Sequence, residues 1–136
     1  MLKLINISAQ AGISSYLAPI EECSDLGLNL DALLIDDPIG TYIGIADGES
    51  MTDLGIYSGD LLIISRETRA IDKDIIVADL NGVFVCKQVD KKNGILLPAA
   101  KGFKPYTLKA GDHFQVEGVV VRSIRLHRPI ANAQYA

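Results

Sequence analysis

Tryptophan is absent from this chain of 136 residues, and phenylalanine occurs only three times. Aromatic residues make up 6% of the whole, so the 49% hydrophobic share must build its core from aliphatic side chains, mainly Ile, Leu and Val. Cysteine is almost as scarce. Cys23 and Cys86 lie far apart with no CxxC spacing, which argues against a zinc site and a disulfide framework. Two free thiols suit a reducing compartment. Positive charge is also short: 13 Lys and Arg stand against 17 Asp and Glu, for a formal net charge of −4. A general nucleic-acid binder is normally basic, so that class is disfavoured, although a local basic patch is not. No apolar run is long enough to cross a bilayer. The opening "MLKLINISAQAG" is interrupted by Lys3 and Asn6. It makes a poor signal peptide ending at "SAQA", and a cytoplasmic location is the working expectation. Repeats and low-complexity tracts are missing as well.

What remains suits one domain with a single core, preceded by an arm. Residues 1–40 combine small residues, proline and weak periodicity. Within them "LNLDALLIDDP" reads as a short helical turn capped by Asn29 or Asp31 and stopped by Pro38. From Thr41 the pattern changes to β-structure. "TYIGIA" alternates, "GDLLIIS" reads as a buried strand, and "KDIIVADL" and "VFVCKQV" flank Asn81-Gly82, the strongest short hairpin signal. Asn93-Gly94 suggests another tight connection, and a long strand is expected over 115–126. Short strands between turn signals predict a mostly β fold of curled antiparallel sheets, with helix confined to a turn or two, one of them after Glu49. The β domain is expected over 41–128, with a tail over 129–136.

Two residues carry candidate chemistry. Ser50 sits in "DGESMTD", between a glycine turn and an apolar strand. It reads either as a surface-turn residue or as a nucleophile, and a nucleophilic serine needs a base. His113 and His127 are the two histidines; neither lies in a hydrolase motif, and no G-x-S-x-G elbow is present. The other base used with serine is a neutral lysine. Lys91, Lys92, Lys101, Lys104 and Lys109 all occupy wet, turn-like contexts. Lys87 differs, because alternation places it on one strand face with Val85 and Val89. Burial there disfavours the ammonium and lowers the pKa, giving the neutral amine that a general base requires. The plainer reading is a protective lysine on an edge strand. Asp47, Glu49 and Asp53 read as turn and capping groups, and a carboxylate close to Lys87 would oppose its deprotonation.

The stretch "GESMTDLGIYSGDLLIISRETRAIDKDIIVADLNGVFVCKQV" resembles the LexA-like self-cleaving serine peptidases of the S24 family. The likeness rests on Ser50-Met51, Gly59-Asp60, Asn81-Gly82 and Lys87 in order, and extends over about 41–128. Within the family the chain is most similar to the UmuD-type accessory proteins of error-prone DNA polymerases. "LNLDALLIDDPIGTYIGIADGESM", "GILLPAAKGFKPYTL" and "EGVVVRSIRLHR" carry that likeness, and the 40 or so leading residues leave no room for a helix-turn-helix domain. The resemblance implies a Ser50–Lys87 dyad, backbone N–H groups of Ser50 and Met51 as the oxyanion site, and self-cleavage between Ala11 and Gly12. It also implies a homodimer formed through the closing strand. Arg122, Arg125 and Arg128 alternate poorly with the apolar face of that strand and read by themselves as a wet charged edge. A RecA filament on single-stranded DNA is the implied trigger and a UmuC-type Y-family polymerase the implied partner, in the SOS response to DNA damage. No metal, cofactor, membrane or specific DNA contact is implied. The alternatives are a non-catalytic dimeric interaction module, the peptidase domain of a phage-type repressor, and a signal peptidase, which would need a membrane anchor.

Overall fold

The computed structural model describes residues 29–130 and, as backbone only, two short strands before them. The chain divides into two compact units, Met1–Asp36 and Asp37–Ala136. In the first, β1 (Leu4–Asn6) pairs antiparallel with β2 (Ser15–Leu17), Leu4 opposite Leu17. The arm thus contains a strand pair that its weak periodicity did not disclose. The expected helical turn is present as α1 (Leu30–Leu34). Asn29 rather than Asp31 caps it, its side-chain oxygen accepting from Ala32 N at 2.7 Å. That bond satisfies one of the N–H groups a helix start leaves unpaired.

The second unit is mostly β. Its strands are β3 (Thr41–Ile45), β4 (Leu61–Ser65), β5 (Ile75–Leu80), β6 (Val83–Asp90), β7 (Ile95–Leu97), β8 (Tyr106–Thr107) and β9 (Phe114–Ile124). They form one antiparallel sheet in the order β3-β4-β9-β5-β6-β7-β8. The last strand in sequence therefore lies in the middle, between β4 and β5. The β5–β6 hairpin turns on Asn81 and Gly82, whose φ values of 54° and 86° are both positive. A two-residue turn of this hand matches the twist of the strands it joins, and Asn and Gly adopt it at least cost. Asn93-Gly94 behaves otherwise. Asp90 pairs with Ile95 across a four-residue loop, and the Asp90 carboxylate accepts from Asn93 N. A side-chain acceptor thus sets this loop, and the expected tight turn is longer than its dipeptide suggests. The helix expected after Glu49 is a single 3-10 turn, Thr52–Leu54, ended by Gly55 at φ 84°.

Alternation sends neighbouring residues of the central strands to opposite faces. Ile76 and Ala78 pack with Val89, Leu96 and Val119, while Ile75 and Val77 pack against Ala46, Met51, Ile56, Leu62 and Ile64. Both faces are therefore covered, and the aliphatic core expected from composition is what fills them.

β9 runs irregularly between its two neighbours. Its register slips by one residue twice, leaving Glu117 unmatched against β5 and Val121 unmatched against β4. Such bulges kink a strand and increase its twist. Gly118 lies between them, where a Cβ would come within 2.6 Å of Ile64 Cγ2 and 2.9 Å of the Ser65 carbonyl oxygen. The second of those atoms is backbone and cannot swing aside. Gly118→Ala is therefore expected to destabilise the fold by about 1–3 kcal/mol, seen as a lower urea midpoint; an unchanged midpoint would show that β9 tolerates the displacement.

Candidate active site

The segment from Ala46 to Asp60 leaves β3 and returns as β4. It is closed at its base by two backbone bonds, Ala46 N to Asp60 O at 2.8 Å and Gly59 N to Ala46 O at 2.9 Å. Within it Met51 is buried, and its carbonyl accepts from the N–H groups of Leu54 and Ile56. Met51 and Ile56 belong to the same apolar cluster. This gives the Ser-Met pair a physical meaning. The methionine plugs the core and fixes the backbone, and the residue before it is turned toward a cleft at the surface. Among the described residues, the backbone bonds that shape this turn use the carbonyls of Ser50 and Met51 but not their N–H groups.

Lys87 approaches from the other side, on β6. In the ladder it stands opposite Ile76, with Val85 opposite Ala78, so the apolar face expected from alternation is formed. Its side chain is partly buried, and Nζ lies 2.5 Å from Ser50 Oγ. The structure thus brings the two candidate residues into hydrogen-bond contact across 37 positions of sequence. Both line a cleft of about 160 Å³ together with Gly48, Met51, Phe84 and Cys86.

The electrostatics of the cleft favour loss of the lysine proton. Desolvation lowers the Lys87 pKa from its ordinary 10.5, and the Cys86 thiol is the one group that opposes it. Burial pushes that thiol up to about 11. Asp47 also lines the cleft, yet no carboxylate bears on the Lys87 shift. Among the described residues no cluster suited to a metal is present, and no helix is long and apolar enough to cross a membrane. Ala11 and Gly12 lie outside the described residues, as does Cys23.

Two supports of the turn were not apparent from the sequence. Ala99, in the loop after β7, donates its N–H to Ser50 O at 2.6 Å and accepts from Asp53 N at 2.6 Å. The other is Asp60, which is 3% exposed. Its Oδ1 accepts from Arg125 Nε at 3.1 Å, and its Oδ2 accepts from Arg125 Nη2 at 3.1 Å and from Tyr57 N at 2.8 Å. The same Nη2 reaches the Gly55 carbonyl at 2.8 Å, and the guanidinium lies 4.0 Å over the Tyr57 ring. Arg125 is exposed, as expected of a wet charged edge. In addition its planar fork clamps the turn that carries Ser50 to the end of β9, a geometry lysine could not reproduce.

Comparison with known proteins follows the same outline. A family profile described as Peptidase S24-like matches residues 3–121. Protein SamA of Salmonella typhimurium is 29% identical over 116 residues, covering 85% of this chain and 81% of that protein. Protein ImpA of Escherichia coli is 34% identical over 80 residues, or 59% of this chain and 53% of ImpA. The LexA repressor of Bordetella pertussis is 39% identical over 86 residues, 62% of this chain and 40% of the repressor. The chain thus matches about half the length of ImpA and less than half of LexA.

The Asp60 clamp has a measurable signature. Bonding to Arg125 holds the carboxyl below its ordinary 3.8. A carboxyl depressed on folding stabilises the native state above its unfolded pKa, and that contribution fades as pH falls through the folded value. Asp60→Asn should cost about 1.5–3 kcal/mol at neutral pH, the usual worth of hydrogen bonds to a charged group. In denaturant titrations the gap from the parent protein should close as pH falls below 3.8; a gap that stays constant into acid would contradict the assignment.

Proposed function

The chain belongs to the Peptidase S24-like family, and on that premise we propose that it is a self-cleaving serine peptidase that cuts its own arm between Ala11 and Gly12. The observation that carries the proposal is the 2.5 Å contact of Lys87 Nζ with Ser50 Oγ in a partly buried cleft. Neutral Lys87 takes the hydroxyl proton as Ser50 Oγ attacks the Ala11 carbonyl carbon. The N–H groups of Ser50 and Met51 receive the developing oxyanion, a donor of this kind being worth about 3–4 kcal/mol. The bond to Gly12 N then breaks, and Lys87 returns its proton to the leaving amine. Water, deprotonated by the same lysine, releases Ala11 as a carboxylate. Small residues at the cut suit a cleft of about 160 Å³. β6 pairs with β7 only from Gln88 onward, so among the described residues its 83–87 edge is open for an extended segment beside the dyad.

The biological setting comes from the likeness to the UmuD-type branch. In this reading the chain acts in the cytoplasm as a homodimer. A RecA filament on single-stranded DNA speeds cleavage by favouring the docked arm, a population shift. The trimmed dimer then serves as a subunit of a UmuC-type translesion polymerase. Losing the arm changes which surfaces are free without requiring a new fold.

The test needs only purified protein. Incubated at rising pH and followed by mass spectrometry, the chain should lose residues 1–11 faster as Lys87 deprotonates, with the rate levelling once the amine is neutral. Ser50→Ala and Lys87→Ala should each slow the cut by about 10⁴-fold or more, as when a member of a catalytic set is removed, while circular dichroism stays unchanged. Cutting of Lys87→Ala at the parent rate would overturn the dyad. An uncut parent at every pH would favour the dimeric interaction module.

A further inference from the structure

The loop between β7 and β8 brings an aromatic side chain near Lys87. Ala99 ties this loop to the serine turn twice, to Ser50 O and to Asp53 N. Three residues on, Gly102 adopts φ 92°, and Phe103 follows, its N–H directed at Ala100 O. The Phe103 ring is centred 6.0 Å from Lys87 Nζ and is 48% exposed. The residue is therefore about half open to solvent, and its ring stands close to the amine that contacts Ser50.

We propose that Phe103 is a positioning residue for Lys87: its ring covers the amine, keeps water from it, and so maintains the base in its neutral form. The inference rests on the reading of Lys87 as the base and adds to it the group that maintains its surroundings. A ring near an ammonium has two opposed effects. Its π-face attracts the cation, which favours the charged form, while its bulk excludes water, which favours the neutral one. The distance decides between them. At 6.0 Å the centroid stands at the outer limit of effective cation–π contact, so the attraction is at its weakest while the bulk of the ring still displaces water. Water exclusion is then the net effect.

Other charged or titratable groups on the surrounding elements do not take this role. They are Cys86 and Asp90 on β6, Asp79 on β5, Asp74 just before it, Asp47, Glu49, Asp53, Tyr57 and Asp60 on the serine turn, and Lys101 and Lys104 on the loop itself. Of these only Cys86 acts on the amine, and it acts in the opposite direction. The anchoring at Ala99 is backbone to backbone, so replacing the ring leaves the loop attached to the turn.

Two measurements on the full chain test the inference. Trace labelling of Lys87 with an amine-reactive reagent across pH, read by mass spectrometry, reports its titration without any need for activity. Self-cleavage across pH reports the same group through the reaction. Phe103→Ala should move both midpoints to higher pH and slow cleavage at neutral pH by about threefold or more, half a pKa unit being about threefold in neutral amine; the rate should return in alkali. Phe103→Leu, which keeps bulk but lacks a π-face, should leave the midpoints at or below those of the parent protein. Midpoints unmoved in a folded Phe103→Ala, or moved to lower pH, would overturn the proposal. Failure of the base reading looks different: Lys87→Ala would still cut, while labelling would continue to report whether the ring covers the amine.

Discussion

An amine must be held out of water beside a hydroxyl, and the rest of this molecule can be understood as what that demands. A lysine in water is an acid at neutral pH, useless for removing a proton from serine. The fold changes this with ordinary means. β6 carries Lys87 opposite fully buried Ile76, and desolvation there lowers the pKa. The same burial pushes the neighbouring Cys86 thiol up to about 11. In the proposed mechanism, the environment that makes the lysine less stable as a cation is also what makes it a base.

The partner hydroxyl meets the opposite problem. A serine on a turn is mobile unless the turn is fixed, and loose placement of reacting groups is costly. Here the turn is fixed at several points that use different physics. Met51 and Ile56 anchor it by burial, Ala46 and Asp60 close its base, Ala99 holds it by two backbone bonds, and Arg125 clamps it through Asp60 and Gly55. The clamp reaches the turn from the end of β9, the strand at the middle of the sheet. In the proposed dimer that strand would also lie at the subunit contact, which would put the nucleophile's support and the assembly surface on one element.

The sequence disclosed the parts of this arrangement that follow local rules. Asn81-Gly82 forms a two-residue turn because both positions need positive φ. Lys87 stood out because a charge interrupts an alternating apolar strand, and Ser50 because it lies between a glycine turn and an apolar strand, although only the family resemblance singled out the Ser50-Met51 pair. What stayed hidden depends on partners distant in the chain or on atoms without side-chain identity. Asp60 read as the opening of a strand; its pairing with Arg125 is made only when β9 lies beside β4. Ala99 contributes through its peptide groups, which any residue but proline would offer on paper. Phe103 belongs to a Gly- and Lys-rich stretch that reads as a surface loop, and only closure of that loop on the Ser50 turn places its ring near the amine. Asn93-Gly94 misled because the Asp90 carboxylate, not the dipeptide, sets the loop.

The most direct measurement of the central claim is covalent labelling of Ser50 by a fluorophosphonate, located by peptide mass spectrometry as pH is raised, in the parent protein and in Lys87→Met. The account predicts labelling at Ser50 that grows through the titration of Lys87 and is lost when the amine is replaced by an apolar chain of similar length. Equal labelling of the two proteins, or a Ser50 that resists the reagent at every pH while the fold is intact, would contradict it.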